Sequence, residues 1–309
     1  MFLRCALFAF FILSSGLPAR AYTLWVSATG TFSGNCTSPA SPCGSIDYAL
    51  GQATANDTIV CMGPVYGGSL QITKSIDIDC SSGRAIFRDT ALVLPGNVAV
   101  AIVINIASND IFKTVRLRGL SLLGNESNVK FFDVGIYIQS AALVQIQDAI
   151  ISDVNKQGIL DVRTNGQTQL YVSNATVRNS GGSGIVEAAT NTGIAVLENV
   201  QFQANAYGVA VATGNYVTIN RSVLAGSATA AVEADSGAHI IVNGSTITNN
   251  NIGIQGGSTV HISNNDIAFN NTAISGTIGT FGNNRFSGNV SIGTPPTPLG
   301  GASTDFAQQ

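Results

Sequence analysis

Large apolar residues recur along the second half of the chain at intervals of 26, 25, 22, 23, 20 and 19 residues. These seven anchor positions are Ile146, Val172, Leu197, Ile219, Val242, Ile262 and Phe281. A further apolar residue, such as Val144 or Leu170, stands two positions before each of the first six anchors. Apolar residues two positions apart predict a short strand with one buried face.

The same interval repeats two more features after each anchor. An Asp, Asn, Arg or Gly follows two positions later, at Asp148, Asn174, Asn199, Arg221, Gly244, Asn264 and Asn283. Asn, Asp and Gly tolerate left-handed backbone, so this position predicts a turn. A second apolar residue stands five positions after each anchor, at Ile151, Val177, Phe202, Leu224, Ile247, Ile267 and Phe286. A third apolar element, led by glycine in pairs such as Gly158-Ile159 and Gly184-Ile185, completes the repeat.

Three short strands in each repeat predict an all-β protein, a parallel β-helix whose coils stack so that equivalent residues form columns. A propeller blade needs four strands in about 40 residues, and the leucine-rich and hexapeptide patterns are absent. No proline occurs between Gly96 and Thr294, as continuous parallel pairing requires. With looser repeats before Ile146, we expect about 10–11 coils, and asparagines at equivalent turns can form hydrogen-bonded ladders.

The two ends of the chain have a different character. Residues 1–21 combine Arg4, the apolar run Ala6–Leu13 and the triplet Ala19-Arg20-Ala21, which predicts a secretory signal peptide. No later stretch is apolar for long enough to span a membrane. Residues 293–309 contain three prolines among small polar residues and are predicted to be a disordered tail.

Residues 22–56 are predicted to form an N-terminal strand and a capping helix ahead of the β-helix, which we place over residues 57–292. Ile46, Ala49, Leu50 and Ala53 have the spacing of one helix face. Because the open end of a β-helix exposes strand edges, this helix is expected to cover the first coil.

Four cysteines remain after removal of the signal peptide: Cys36, Cys43, Cys61 and Cys80. An even number in an oxidising compartment favours two disulfides, for which three connectivities exist. We favour Cys36–Cys43 with Cys61–Cys80, because the latter two lie 19 residues apart, about one coil. Spacings of 7, 18 and 19 residues contain no close Cys pair of the kind that binds zinc. We therefore predict a secreted or periplasmic protein with neither a metal site nor a cofactor.

Composition narrows the range of functions. Charged residues make up 10% of the chain and hydrophobic residues 45%, with a formal net charge of -3. Such a chain has no basic field for nucleic acid, and its apolar content argues against intrinsic disorder.

The chain resembles exported bacterial right-handed parallel β-helix proteins of the pectin-lyase-like superfamily that lack assigned chemistry. The stretches that carry the resemblance are YTLWVSATG (22–30), CGSIDYAL (43–50), ITKSIDIDC (72–80), VRLRGLSL (115–122) and the Asn-rich C-terminal coils. The resemblance implies the fold and export but no particular reaction, because one fold hosts many functions.

The residue motifs of the polysaccharide-cleaving members are missing, since the chain contains no Asp-Asp pair and neither histidine lies in their G-H-G motif. Stacking nevertheless offers one catalytic candidate. Asp161 and Glu187 each lie 15 residues after an anchor and should occupy one column on adjacent coils, where close carboxylates can act as an acid/base pair. The competing interpretation, which we favour, is a solvated loop edge on which they pair with Arg163 and Arg178.

Three functions remain open. The preferred one is a non-catalytic module that binds a polysaccharide or cell-envelope glycan or forms part of the cell envelope. Its exposed tyrosines, such as Tyr171, Tyr207 and Tyr216, could stack on sugar rings, and we expect a monomer without a nucleic-acid partner. The alternatives are a polysaccharide lyase or glycoside hydrolase with an unrecognised site and an adhesin-like assembly protein.

Overall fold

The computed structural model describes residues 21–126, 129–164 and 166–300, and within them the chain winds into a parallel β-helix of three long sheets. The predicted signal peptide, apart from its last residue, lies outside the described residues. Each coil contributes one strand to each sheet, so the predicted all-β solenoid of about 10–11 coils is confirmed.

Sheet A has twelve strands. They are β1 (Thr23–Thr31), β2 (Asp57–Cys61), β5 (Ile76–Asp79), β9 (Thr114–Arg118), β14 (Leu143–Gln147), β17 (Thr168–Ser173), β20 (Gly193–Glu198), β23 (Tyr216–Asn220), β26 (His239–Asn243), β29 (Val260–Ser263), β32 (Gly279–Gly282) and β35 (Thr297–Pro298).

Sheet B has ten strands. They are β3 (Val65–Gly67), β6 (Ala85–Phe87), β10 (Leu120–Leu123), β15 (Ile150–Ser152), β18 (Thr176–Arg178), β21 (Gln201–Gln203), β24 (Val223–Ala225), β27 (Thr246–Thr248), β30 (Asp266–Ala268) and β33 (Arg285–Ser287).

Sheet C has eleven strands, one of which, β7 (Leu92–Leu94), pairs only with β8. The others are β4 (Leu70–Ile72), β8 (Val98–Asn105), β13 (Val134–Ser140), β16 (Gln157–Asp161), β19 (Ser183–Glu187), β22 (Tyr207–Val211), β25 (Ala230–Ala234), β28 (Ile252–Gln255), β31 (Thr272–Ser275) and β34 (Ser291–Gly293). A separate antiparallel pair joins β11 (Asn125–Glu126) to β12 (Val129–Lys130).

The predicted columns are present in the strand register. Ile146, Val172, Leu197, Ile219, Val242 and Ile262 are successive partners in sheet A. The residues five positions later are successive partners in sheet B. The prediction of Phe281 as the seventh anchor is wrong. A register shift next to Ile262 places Thr280 opposite Ile262, and Phe281 is 48% exposed.

The turn that follows each anchor has the backbone that the residue types predict. All seven turn residues adopt positive φ, between 45° and 59°. Residues other than glycine rarely adopt this backbone conformation, and among them Asn and Asp tolerate it best. This explains why five of the seven positions hold Asn or Asp and a sixth holds Gly.

Glycine leads the third strand because sheets B and C approach closely there. A Cβ atom on Gly158 would lie 2.5 Å from Cγ1 of Val177 and 2.6 Å from the carbonyl oxygen of Gly184. Both distances are too short for real atoms, so a side chain at this position would push the coils apart.

The predicted helix is α1 (Ile46–Gln52), which packs on β1 and β2 at the N-terminal end. Ser45 caps it by accepting a hydrogen bond from the Tyr48 N–H, and Ile46, Ala49 and Leu50 are buried in the main core. The Lys74 ammonium donates to the carbonyl oxygens of Leu50 and Ala53 at 3.0 and 2.6 Å and so satisfies the C-terminal end of the helix.

The structure contains the disulfides Cys36–Cys43 and Cys61–Cys80, with Cα atoms 5.2 and 4.6 Å apart. Val60 and Asp79 are register partners, which puts Cys61 beside Cys80 on adjacent coils.

The C-terminal boundary differs from the prediction. Residues 293–300, assigned above to a disordered tail, include β35, which pairs with β32. The prolines are tolerated there because β35 is the last strand of sheet A, and Pro298 leaves its outer edge short of one N–H donor. The remainder of the predicted tail lies outside the described residues.

Buried asparagines form the predicted ladders at the turns between sheets. The side-chain amide of Asn250 donates to the carbonyl oxygens of Leu224 at 3.0 Å and of the Asn270 side chain at 2.9 Å, while its own oxygen accepts from the Ser227 N–H at 2.8 Å. Asn270 repeats this pattern with Asn289 one coil later. These side chains satisfy backbone groups that the bend between sheets leaves unpaired.

We expect Asn250→Ala to lower the free energy of unfolding by about 1–3 kcal/mol, because it leaves the buried Ser227 N–H without its hydrogen-bond partner. Asn271→Ala removes an exposed amide that donates to Asn251 and should change stability by less than about 0.5 kcal/mol. Urea unfolding followed by circular dichroism measures both. Equal effects of the two substitutions would show that the ladder contributes no particular stability.

Candidate functional site

The two predicted carboxylates occupy one column, as the spacing indicates. Asp161 ends β16, Glu187 ends β19, and the two are direct cross-strand partners in sheet C. Their environment differs from the solvated loop edge predicted above. Both side chains are 0% exposed, and so a polysaccharide outside the solenoid has no contact with either carboxyl group in this structure.

The alternation of inward and outward residues along a strand explains why the predicted solvated loop edge is wrong. Asp161 lies two positions after Ile159, and Glu187 two positions after Ile185, so each acidic side chain points to the same interior as the isoleucine. Arg163 is also buried and forms the ion pair with Asp161, whereas Arg178 is exposed on sheet B. The predicted pairing thus holds for Arg163, inside the core.

All three nitrogens of the Arg163 guanidinium form hydrogen bonds inside the protein. Nε donates to Asp161 Oδ1 at 2.8 Å, and Nη2 contacts Asp161 Oδ2. Nη1 donates to the carbonyl oxygens of Ala141, Ala142 and Gln169 at 3.2, 3.3 and 3.1 Å. Arg163 therefore connects the residues just before β14 to the first residues of β17.

Glu187 shares the interior with this ion pair but has no cation of its own. Burial raises the pKa of its carboxyl group to about 8, and the nearby Asp161 carboxylate adds to the increase. The group is therefore protonated at neutral pH, which leaves the cluster of Asp161, Arg163 and Glu187 without net charge. Gly193 makes room for it, since a Cβ atom there would collide with Glu187 Oε1.

A surface groove of about 210 Å³ lies on the outer face of sheet A, across β9, β14, β17 and β20. Its outward side chains form two parallel columns, Arg116–Gln145–Tyr171–Val196 and Arg118–Gln147–Ser173–Glu198. We call this the sheet A groove. Arg116 Nε donates to Gln145 Oε1 at 2.9 Å, and the Tyr171 ring is 39% exposed.

Charged side chains at the borders of the groove are mostly paired. Arg118 Nη1 lies 3.1 Å from Asp79 Oδ2, and Arg221 Nη2 lies 2.6 Å from Glu198 Oε1. Burial alone would raise the pKa of Asp79, but hydrogen bonds from Ser81 and Arg118 outweigh it and lower that pKa. Burial raises the pKa of Asp77, the partner of Arg116 on the neighbouring strand. Two acidic groups with opposite shifts thus lie beside the groove.

The remaining aromatic candidates separate in space. Tyr216 and His239 are register partners whose rings stack with centroids 4.4 Å apart, so one face of Tyr216 is covered. His261 lies in the other column, opposite Ile241, and lines the same depression of about 250 Å³. Tyr207 lies in sheet C, away from both.

In residues 21–126, 129–164 and 166–300, no three His, Cys, Asp or Glu side chains are grouped so as to hold a metal ion. The helical part of those ranges includes no segment with the length and hydropathy of a membrane span.

Comparisons with known proteins agree with this architecture. The family profile described as right handed beta helix region matches residues 183–294. Among solved structures, pectate lyase Pel9A is 12% identical with a TM-score of 0.61, over 91% of this chain and 79% of that one. The chain has the right-handed parallel β-helix fold.

Two further structures share this β-helix. The A-module of the Azotobacter vinelandii mannuronan C-5 epimerase AlgE4 is 13% identical with a TM-score of 0.51, over 91% of this chain and 90% of that one. The enzymatically active domain of bacteriophage CBA120 tailspike protein 2 is 12% identical with a TM-score of 0.51, over 82% of this chain and 43% of that one. This β-helix therefore spans less than half of the tailspike chain. No curated protein is similar enough in sequence to count as a relative.

The protonated Glu187 makes stability depend on pH. Its folded pKa is about 8 and its ordinary value is 4.5, so the folded state holds an extra proton between these values. The resulting stabilisation is complete below pH 4.5 and is lost as the pH rises through 8, with a slope of at most about 1.4 kcal/mol per pH unit.

We expect Glu187→Gln, which keeps the shape and stays neutral, to flatten this decline and to make the variant more stable than the wild type at pH 9. Urea unfolding between pH 5 and 9 provides the test. Glu198→Gln removes a surface carboxylate and serves as the matched control, which should keep the slope of the wild type. A Glu187→Gln profile parallel to that of the wild type would refute the assignment of the proton to Glu187.

Proposed function

We propose that this β-helix binds a polysaccharide or cell-envelope glycan in the sheet A groove without cleaving it. The observation that carries the proposal is the groove itself, in which the exposed Tyr171 follows Arg116 and Gln145 in one column and Gln147 lies in the neighbouring column. An aromatic ring offers a sugar an apolar face, while amide and guanidinium groups offer hydrogen bonds to its hydroxyls.

The comparisons support a glycan ligand. A pectate lyase and a mannuronan epimerase have this fold along most of their length. A long sheet with outward side chains in columns also suits a polymer, because each coil presents a further side chain about 4.8 Å along.

The arrangement of the carboxyl groups supports binding without cleavage. The stacked pair suggested by the spacing is buried, and the accessible Asp79 and Glu198 are held by Arg118 and Arg221. A carboxylate held in an ion pair is a weak proton acceptor.

One observation favours the alternative, a lyase or hydrolase with an unrecognised site. Asp77 and Asp79 lie two residues apart beside the groove, with the pKa of the first raised and that of the second lowered. Neighbouring carboxyl groups with opposite shifts are typical of acid/base pairs.

We further propose that the protein acts as a monomer in a secreted or periplasmic location. The two disulfides suit an oxidising compartment. The predicted signal peptide is consistent with that location.

Binding is tested with a panel of neutral and acidic polysaccharides by isothermal titration calorimetry. Tyr171→Ala should weaken binding of the recognised polymer about tenfold, a loss of about 1.4 kcal/mol. Tyr207→Ala, on sheet C, is the matched control and should bind as the wild type does. If no polymer binds, or if both variants bind equally well, the groove is not a glycan site.

Catalysis is tested on the same panel by following new reducing ends and unsaturated-uronate absorbance. We expect neither product to appear. Turnover that Asp77→Asn abolishes would instead establish the enzymatic alternative at this groove.

A further inference from the structure

A hairpin interrupts the repeating coils in sheet C. Strands β7 and β8 pair antiparallel, with Leu92 opposite Val100 and Leu94 opposite Val98. The loop between them is Pro95, Gly96 and Asn97, and the last two residues have φ of 84° and 58°. The hairpin is an insertion in the coil, because β8 continues past Val100 as an ordinary strand of sheet C.

This hairpin builds an apolar cluster of its own. Val100, Val103 and Val134 are buried, with Leu92, Leu94, Val98, Tyr137 and Leu160 packed around them, and none of these residues belongs to the main core. Val103, Tyr137 and Leu160 are successive register partners, so they form one outward column of sheet C. An apolar column on an outer face has no role in closing the solenoid.

The cluster is incomplete and leaves an open cleft of about 300 Å³. Leu94, Pro95 and Val98 form the hairpin side of the cleft, and Val134, Tyr137 and Leu160 form the sheet side. We call it the hairpin cleft. This size is at the lower end of the range for pockets that hold small molecules, which are also mostly apolar with a few placed polar groups.

The polar groups of the hairpin cleft include one cation. Gln139, Gln157 and Lys156 lie at its rim. Lys156 Nζ is 3.9 Å from Asp133 Oδ2, beyond hydrogen-bond distance, and its side chain is 53% exposed. Asp133 is engaged elsewhere, since it accepts hydrogen bonds from the Ala99 N–H at 3.1 Å and from the Asn155 amide at 3.3 Å. The ammonium group is therefore available to an anion at the mouth of the cleft.

We propose that the hairpin cleft is a second binding site, which takes a small amphiphilic anion. The apolar body of the ligand fills the space between Val98 and Leu160, and its single acidic group meets Lys156. A sugar suits this site poorly, because six apolar side chains would face its hydroxyl groups. The site is separate from the sheet A groove and does not depend on the function proposed for that groove.

The probe for this site is 8-anilinonaphthalene-1-sulfonate, which joins an aromatic body to one sulfonate. We expect its fluorescence to titrate to one site per folded chain. Leu160→Gln should weaken binding about tenfold by placing an amide in the apolar wall. Tyr171→Ala, in the sheet A groove, is the control and should bind the probe as the wild type does.

The role of Lys156 is tested with a neutral probe of similar shape, N-phenyl-1-naphthylamine. Lys156→Gln should weaken the sulfonate probe about tenfold and leave the neutral probe within about twofold. Lys113→Gln removes one positive charge elsewhere and should change neither. If Lys156→Gln weakens both probes equally, the proposed recognition of the acidic group is wrong.

Hydrogen exchange on the wild type locates the probe without any substitution. Saturation with the sulfonate probe should slow amide exchange in residues 92–100 and 134–140. Protection elsewhere, or binding without a defined stoichiometry, would overturn the proposal. Protection combined with failure of every polysaccharide to bind would support this site while refuting the groove.

Discussion

Parallel pairing between equivalent positions of successive coils is the constraint on which the rest of this structure depends. Each strand hydrogen-bonds to the strand one coil before and one coil after it. A residue in one coil therefore restricts the residue types that fit at the equivalent position of the next coil. Inward positions become aliphatic columns, and most of the turn positions with left-handed backbone hold Asn, Asp or Gly. Where the chain bends between sheets, buried asparagines such as Asn250 and Asn270 supply the hydrogen bonds that regular pairing does not.

The same stacking brings charged residues together inside the core. Asp161 and Glu187 meet because their strands pair, and the cost of burying two carboxyl groups is limited in two ways. Arg163 neutralises Asp161 through charge-assisted hydrogen bonds, and Glu187 keeps its proton. A pair that resembles an acid/base couple in the sequence thus belongs to the interior. Arg163 also contacts the segments that lead into β14 and β17, which connects this cluster to the sheet A groove.

The outer faces are free of that constraint, and they differ in chemistry. The outer face of sheet A carries Arg116, Gln145 and Tyr171 in one column, whereas the outer face of sheet C carries Val103, Tyr137 and Leu160. We propose a hydroxylated polymer as the ligand of the first face and a small amphiphilic anion as the ligand of the second. Because outward side chains contribute little to stacking, their variety is where function is expected to differ between proteins with this fold.

Periodicity alone determined the solenoid, its number of coils and the columns of Ile146 and Ile151, because every repeat imposes the same pairing on its neighbours. It also placed Asp161 beside Glu187. Because these residues lie two positions after the inward Ile159 and Ile185, the sequence could also have placed their side chains in the core. The tertiary structure alone decided that Arg163 is the partner of Asp161, that His239 covers one face of the Tyr216 ring, and that Phe281 turns outward at a register shift. It also revealed the hairpin cleft, since an antiparallel insertion has no counterpart in the repeat. Local patterns define which residues face inward, whereas contacts between side chains far apart in the chain depend on how the coils are stacked.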